Sequence, residues 1–269
     1  MDQPKPIETP EPLHPDLMPT LRQLVRGLEV LFWALPFALL VCVQETMLSW
    51  WESWGIGPAL AAMALLWYGT HSIGHFQKQE RVWQGTVNFA QVLALLMVGL
   101  APFLHWQQQI TSDTMTWSQM SESQKHIVYS ACIFSTASMM YVLNLNHVLA
   151  RLAAMLPDPI LRADVRLFVY LNFGLFLLLV IGLWLHQKAD AVFLGLREFA
   201  PGFVESIGSY LGLAAMIKAA ILWIATLVVT LTMTMLWKTK EAILNSVFSL
   251  EPPPLPEPEA TDEVDPSRN

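Results

Sequence analysis

Four polar side chains lie inside apolar segments that are long enough to cross a bilayer, where a polar group is costly unless it has a partner. Each is six or seven residues from a lysine or arginine that flanks its segment: His71, Asn88, Asn144 and Asn172. At about 1.5 Å of helix rise per residue, all four lie about 10 Å from those basic residues. The spacing therefore predicts a polar layer at one depth of a helical bundle.

Helical periodicity adds neighbours to the polar layer. Gln91 shares a face of the third helix with Asn88. The second helix places three residues on one face: Tyr68, His71 and His75. The fourth helix, which is the most polar, places five residues in one stripe: Thr136, Met140, Asn144, His147 and Arg151. We therefore expect the fourth helix to be central rather than lipid-facing.

Three interpretations of the polar layer are open. Its side chains could be packing contacts, since amides, hydroxyls and imidazoles form hydrogen bonds between transmembrane helices. They could instead line a cavity that faces the cytoplasm and accepts a small solute or an ion. The third interpretation is a cofactor site, for which His71, His75 and His147 are the candidate ligands.

The cofactor interpretation has one specific form, because paired imidazoles at matched depth can ligate b-type haem. Histidines lie on alternate helices, so His71 or His75 would pair with His147 near the inside. His105 and His186 would pair near the outside. In architecture alone, without a shared motif, this arrangement resembles the six-helix di-haem cytochromes that pass electrons across membranes.

Motifs of soluble enzymes are absent, including G-x-x-x-x-G-K-[ST], G-x-S-x-G and H-E-x-x-H. Cys42 and Cys132 lie in separate apolar segments, so they predict neither a disulfide framework nor a zinc site. The basic clusters are short and flank the membrane, which indicates lipid headgroups rather than nucleic acid as their partners. We therefore predict no catalytic residue, no metal site and, outside the haem alternative, no cofactor.

The composition is that of a membrane protein, with 54% hydrophobic and 14% charged residues, against about 25% charged in soluble domains. A spanning helix needs about 20 mostly apolar residues. Six stretches meet this requirement, near residues 28–48, 56–76, 85–105, 127–150, 167–186 and 210–237. The fold class is therefore predicted to be all-α, a polytopic membrane protein with six transmembrane helices in one bundle.

The distribution of lysine and arginine predicts the orientation of this bundle. Nine of these residues flank the segments on the side of the N-terminus, and three lie on the other side. Cytoplasmic loops are enriched in lysine and arginine. Both termini are therefore expected in the cytoplasm, with the six spans in the plasma (inner) membrane.

Both ends of the chain differ from its middle in composition. Residues 1–20 carry a net charge of −3 and residues 251–269 carry −5, and these stretches hold 12 of the 18 prolines. Proline and low apolar content work against helix and sheet. We therefore predict disordered proline-rich tails over residues 1–22 and 246–269, around a transmembrane domain at 23–245.

The leading functional prediction is a non-enzymatic accessory or scaffold subunit of the membrane. It would bind other proteins through its tails and through a face of small residues on the sixth helix: Gly208, Gly212, Ala215 and Ala219. Lys218 on the same helix is expected to reach the outer interface. The alternatives are a transporter or channel that uses the polar layer, and a b-type haem electron-transfer protein.

Overall fold

The computed structural model describes residues 17–47, 54–76, 81–111, 120–156, 159–188 and 210–248. These ranges hold six α-helices and no β-strand, which confirms the all-α prediction. The helices are α1 (Leu17–Met47), α2 (Gly57–Ile73), α3 (Arg81–Thr111), α4 (Glu122–Met155), α5 (Pro159–Gln187) and α6 (Tyr210–Phe248). Each one overlaps a predicted span.

Five of these helices, all except α2, are long and apolar enough to cross a membrane. This composition indicates an integral membrane protein. Helix α2 has 17 residues, about 25 Å of rise, which is shorter than a hydrocarbon core of about 30 Å. It begins at Gly57 and Pro58. Proline suits the first turn of a helix, because the N–H groups of that turn have no carbonyl partner within the helix and proline has no N–H to leave unpaired. The second predicted span, 56–76, is therefore shorter than the sequence pattern indicated.

The predicted tail boundaries are wrong by a few residues. Residues 17–22 are helical because Leu21 and Leu24 pack against the core, and residues 246–248 belong to α6. The rest of both predicted tails lies outside the described residues.

The six helices form a closed ring in chain order. Each helix packs against the next, and α6 packs against α1. Neighbouring helices run antiparallel, since residues early in one contact residues late in the next, as Gly27 contacts Ile73. Further contacts of α1 with α3 and of α4 with α6 cross the inside of the ring.

Helices α1 and α2 cross very closely at a pair of glycines. A Cβ atom at Gly27 would lie 3.0 Å from the carbonyl oxygen of Gly69 and 2.9 Å from Ile73. A Cβ atom at Gly69 would lie 2.7 Å from Leu31. Both positions must lack a side chain for the two backbones to approach this closely.

Two ion pairs hold α6 in the ring at the end of the bundle where α1 begins, which we call the basic end. Lys238 binds Asp164 of α5, with Nζ 2.5 Å from Oδ2. Lys240 binds Glu29 of α1. One turn further into the bundle, the rings of Trp237 and Phe32 lie 5.8 Å apart. These contacts fix α6 against both of its neighbours.

Candidate functional site

The four residues of the predicted polar layer do not meet. His71 and Asn88 are exposed on the outer faces of α2 and α3. Asn144 donates a hydrogen bond from Nδ2 to the carbonyl oxygen of Thr86, at 2.9 Å. Asn172 is buried, with other partners. Among the described residues, no hydrogen bond joins any two of these four.

The predicted polar stripe of α4 faces outward, so the polarity of this helix does not indicate the central position that was expected for it. Four of its members are exposed: Thr136, Met140, His147 and Arg151. The inward face is largely apolar and includes Phe134, Ala137, Tyr141, Leu145 and Leu152. A hydroxyl can face lipid at little cost when it bonds to its own helix, as Thr136 does with the carbonyl of Cys132 at 2.9 Å.

His71 near the end of α2 and His75 in the turn that follows interact with each other. The ring of His71 stacks on Trp67 at 5.4 Å and meets the edge of His75 at 4.8 Å. The Nδ1 atom of His75 lies 3.0 Å from the carbonyl of His71. Gln91 packs against the chain turn after α2, where a Cβ atom at Gly74 would lie 2.5 Å from its Nε2. Gln91 therefore has a packing position beside Gly74.

A buried network that the sequence did not reveal joins α4, α5 and α6. Thr232 of α6 accepts a hydrogen bond from Nδ2 of Asn172 at 3.2 Å, and its oxygen lies 3.1 Å from Oδ1 of Asn146. Only Asn172 was singled out from the sequence. Asn146 stands two residues after Asn144, about 200° around the helix, so only one of the two can face inward. The inward one is Asn146, which is 2% exposed.

This network lies at the wall of a cavity of about 300 Å³ to which all six helices contribute. The lining is mainly apolar, and its polar members are Cys42, Ser135, Ser138, Tyr141, Asn146 and Asn172. No charged side chain is among the described residues that line it. Two buried polar atoms of these residues have no hydrogen-bond partner: Nδ2 of Asn146 and Oδ1 of Asn172. Beside the cavity that both residues line, Asn146 therefore has an amide nitrogen and Asn172 an amide oxygen without a hydrogen bond.

No protein-family model, curated protein or solved structure matches this chain. The cavity and its two amides are therefore the features from which a function can be inferred.

Tyr141 is the largest polar side chain in the cavity wall, and it is held in one position. It is fully buried, and its hydroxyl lies 2.8 Å from Oγ1 of Thr70 on α2. Thr70 in turn donates to the carbonyl of Leu66 at 2.8 Å. Since the tyrosine and threonine hydroxyls satisfy each other, the tyrosine closes the wall between α2 and α4 and fixes the shape of the cavity on that side.

A second buried polar cluster lies at the opposite end of the bundle. Nδ1 of His105 on α3 lies 3.1 Å from Oε2 of Glu45 on α1, and both side chains are less than 10% exposed. Gln44 is also buried, and its Nε2 has no partner among the described residues. Glu45 was not singled out from the sequence, although a carboxylate near the end of an apolar segment is a signal for such a pair.

The histidine pairs proposed for haem are not formed across helices. His105 pairs with Glu45 rather than with His186. His71 and His147 are exposed on the outer faces of α2 and α4. Within the described ranges, no ring contact joins these histidines between helices, and no group of three or more potential metal ligands occurs. These residues do not present two facing imidazoles, so they do not fit a b-type haem.

The small-residue face of α6 is partly visible. Ala215 and Ala219 are exposed, as is Lys218 between them. Gly208 lies outside the described residues, and the surroundings of Gly212 are likewise not described. The exposed alanines leave room for another helix to approach α6 from outside the ring.

Proposed function

We propose that this chain is a non-enzymatic membrane protein that binds a small lipophilic molecule in the cavity between its six helices. The observation that supports this proposal is the pair of buried, unpartnered amide atoms on Asn146 and Asn172. A buried polar atom without a partner costs about 1–3 kcal/mol. Two such atoms at the wall of one cavity are satisfied together when a ligand occupies it.

The lining argues for a lipophilic ligand over the polar solute or ion of the predicted transporter. The walls of the cavity are mostly aliphatic, and their apolar residues include Leu35, Leu66, Phe176 and Val228. Ligand pockets of about 300–1,000 Å³ with apolar walls and a few polar groups are typical of small-molecule sites. An ion would lose its hydration there without carboxylates or a ring of carbonyl groups to replace it.

A cavity-filling substitution tests the proposal. Ala225 of α6 lines the cavity, so Ala225→Phe is expected to fill part of it and to abolish ligand binding. The probe is 1-decanol, added to protein in lipid nanodiscs, and the readout is thermal unfolding. A ligand at a hundredfold excess over its Kd stabilises the folded protein by about 2.7 kcal/mol.

The matched control is Ala220→Phe, the same change at an exposed position of the same helix. Any effect of decanol on the surrounding bilayer is the same for both variants. Decanol should stabilise the native protein and Ala220→Phe equally, and should leave Ala225→Phe unchanged. Equal stabilisation of all three proteins would place the decanol in the bilayer and overturn the proposal.

A second candidate function is the accessory or scaffold subunit, favoured by the exposed Ala215 and Ala219 on α6. Small residues allow a helix of another protein to pack closely there. Ala215→Ile with Ala219→Ile would then separate a co-purifying partner from this chain in mild detergent. Ala154→Ile, an exposed alanine of α4, is the control that should keep the partner. Retention of the partner by both variants would exclude this face as the contact.

A further inference from the structure

The two free amide atoms point toward the chemistry of the ligand's head group. Asn146 is 2% exposed and Asn172 is 1% exposed, and both line the cavity. Asn146 has an unused N–H donor and Asn172 an unused carbonyl acceptor. A head group that satisfies both must accept one hydrogen bond and donate another.

Both amides are tied to the same oxygen, so a head group that meets one of them lies close to the other side chain. The hydroxyl of Thr232 lies 3.1 Å from Asn146 Oδ1 and 3.2 Å from Asn172 Nδ2. The same hydroxyl lies 2.9 Å from the carbonyl of Val228. These bonds hold both amide side chains at one place on the cavity wall.

The head group must also be uncharged. The described lining holds no lysine, arginine, aspartate or glutamate. At the basic end, Asp164 is paired with Lys238 and Glu29 with Lys240. Burial of an ionised carboxylate or ammonium without a countercharge costs far more than two hydrogen bonds return.

The rest of the cavity fits a single apolar chain. On α5 the lining runs from Asn172 to Leu183, eleven residues or about 16 Å of rise. Near its far end α5 and α6 approach closely, since a Cβ atom at Gly182 would lie 3.1 Å from Ile221. A volume of about 300 Å³ holds about ten groups of the size of a water molecule. Two acyl chains and a phosphate do not fit this space.

We propose that the ligand is a medium-chain, single-chain amphiphile with an uncharged hydroxyl or carboxamide head bound between Asn146 and Asn172 and its tail directed toward Leu183 and Ile221. This inference rests on the proposed function and adds to it the class and the orientation of the ligand. Thr232 acts as a positioning residue for both amides.

The test compares ligands that share a ten-carbon chain on native protein in nanodiscs, with Ala225→Phe as the control in which the cavity is filled. The probes are 1-decanol, decanamide, n-decane and decyltrimethylammonium. We expect 1-decanol and decanamide to bind at least tenfold more tightly than n-decane, the factor expected for about 1.4 kcal/mol from the head-group hydrogen bonds. Decyltrimethylammonium, which is charged, should not bind in the cavity. Its effect on thermal unfolding should therefore be the same for native protein and Ala225→Phe.

Two outcomes separate failure of this inference from failure of the proposed function. If n-decane binds as tightly as 1-decanol and Ala225→Phe abolishes both, the cavity is a ligand site but the amides do not recognise a head group. If no probe distinguishes native protein from Ala225→Phe, the proposed function itself fails.

A pair of variants and a photoreactive ligand test the position of the head group. Asn172→Leu should weaken 1-decanol binding about tenfold and leave n-decane binding unchanged, whereas Asn88→Leu, at an exposed position, should change neither. Decanol with a diazirine at its tail should label the segments around Leu183 or Ile221. Labelling beside Asn172 would reverse the orientation and overturn this part of the proposal.

Discussion

Thr232 is the residue that links the buried polar network, since its hydroxyl is within hydrogen-bonding distance of both Asn146 and Asn172. Thr232→Val keeps the shape of the side chain and removes that hydroxyl. Two buried amides then lose a partner, and we expect the free energy of unfolding to fall by about 1–3 kcal/mol. Denaturation in mixed detergent micelles measures this loss.

Thr230 provides the comparison for that substitution, because it lies two residues away on an exposed face. Its hydroxyl bonds only to the carbonyl of Thr226 on the same helix. Thr230→Val should change the free energy of unfolding by less than about 0.5 kcal/mol. Similar losses for both variants would show that the network contributes no more than a local helix bond.

The buried pair of Glu45 and His105 is a second polar contact that we expect to contribute to the free energy of unfolding. Glu45→Gln keeps the size of the side chain but removes the carboxylate that faces Nδ1 of His105 at 3.1 Å. Both side chains are buried, so we expect a loss of about 1–3 kcal/mol in the free energy of unfolding. Glu122→Gln, at an exposed carboxylate, should be close to neutral. A neutral result at Glu45 would mean that its charge contributes nothing to the bundle.

Among elements, the crossing of α1 and α2 is the contact most sensitive to side-chain size. At Gly27 a methyl group would meet backbone atoms of α2 at 3.0 and 3.1 Å, and backbone cannot move aside as a side-chain tip can. We expect Gly27→Ala to lower the free energy of unfolding by about 1–3 kcal/mol. Gly174→Ala on α5 meets nothing within 4 Å and should raise it by about 0.5–1 kcal/mol. Destabilisation by both changes to the same extent would contradict a specific close crossing.

The existence and order of the helices could be predicted from the sequence, because lipid leaves an apolar segment no alternative to helical hydrogen bonding. The residues at which the helices begin and end could not be predicted in this way. Helix α6 continues eleven residues past the predicted boundary at 237, since Ile243 is buried and Lys238 and Lys240 pair with neighbouring helices.

The rotation of each helix about its axis could not be predicted from the sequence either, and this is why the predicted polar residues are found on different faces of the helices. In a soluble helix, polarity marks the outer face, whereas in lipid both faces are apolar. A polar residue in such a helix therefore does not indicate which face is buried. Thr136 bonds to a carbonyl of its own helix and faces outward, whereas Asn146 bonds to a neighbouring helix and faces inward. Asn172 could be found because it is the single asparagine of its helix and lies in the apolar part of it.

For the whole molecule, the charge asymmetry predicts which end faces the cytoplasm. Single cysteines in a background of Cys42→Ala and Cys132→Ala test it at two exposed positions, Ser123 and Ala163. Ser123→Cys at the start of α4 should react with an impermeant maleimide added to intact cells. Ala163→Cys at the basic end should react only after permeabilisation. The reverse pattern would invert the orientation of the bundle.

Closure of the ring has a consequence for the order in which the protein is made. Helix α1 is synthesised first and α6 last, yet they are neighbours, and the pair of Glu29 and Lys240 joins positions 211 residues apart. Adjacent helices can associate as soon as they emerge, whereas this long-range contact must wait until α6 has been synthesised. Until then one side of α1 and the other walls of the cavity lack the helix that covers them. A nascent chain that stalls before α6 therefore presents an open groove to the bilayer, and the cavity acquires its last wall only when α6 inserts.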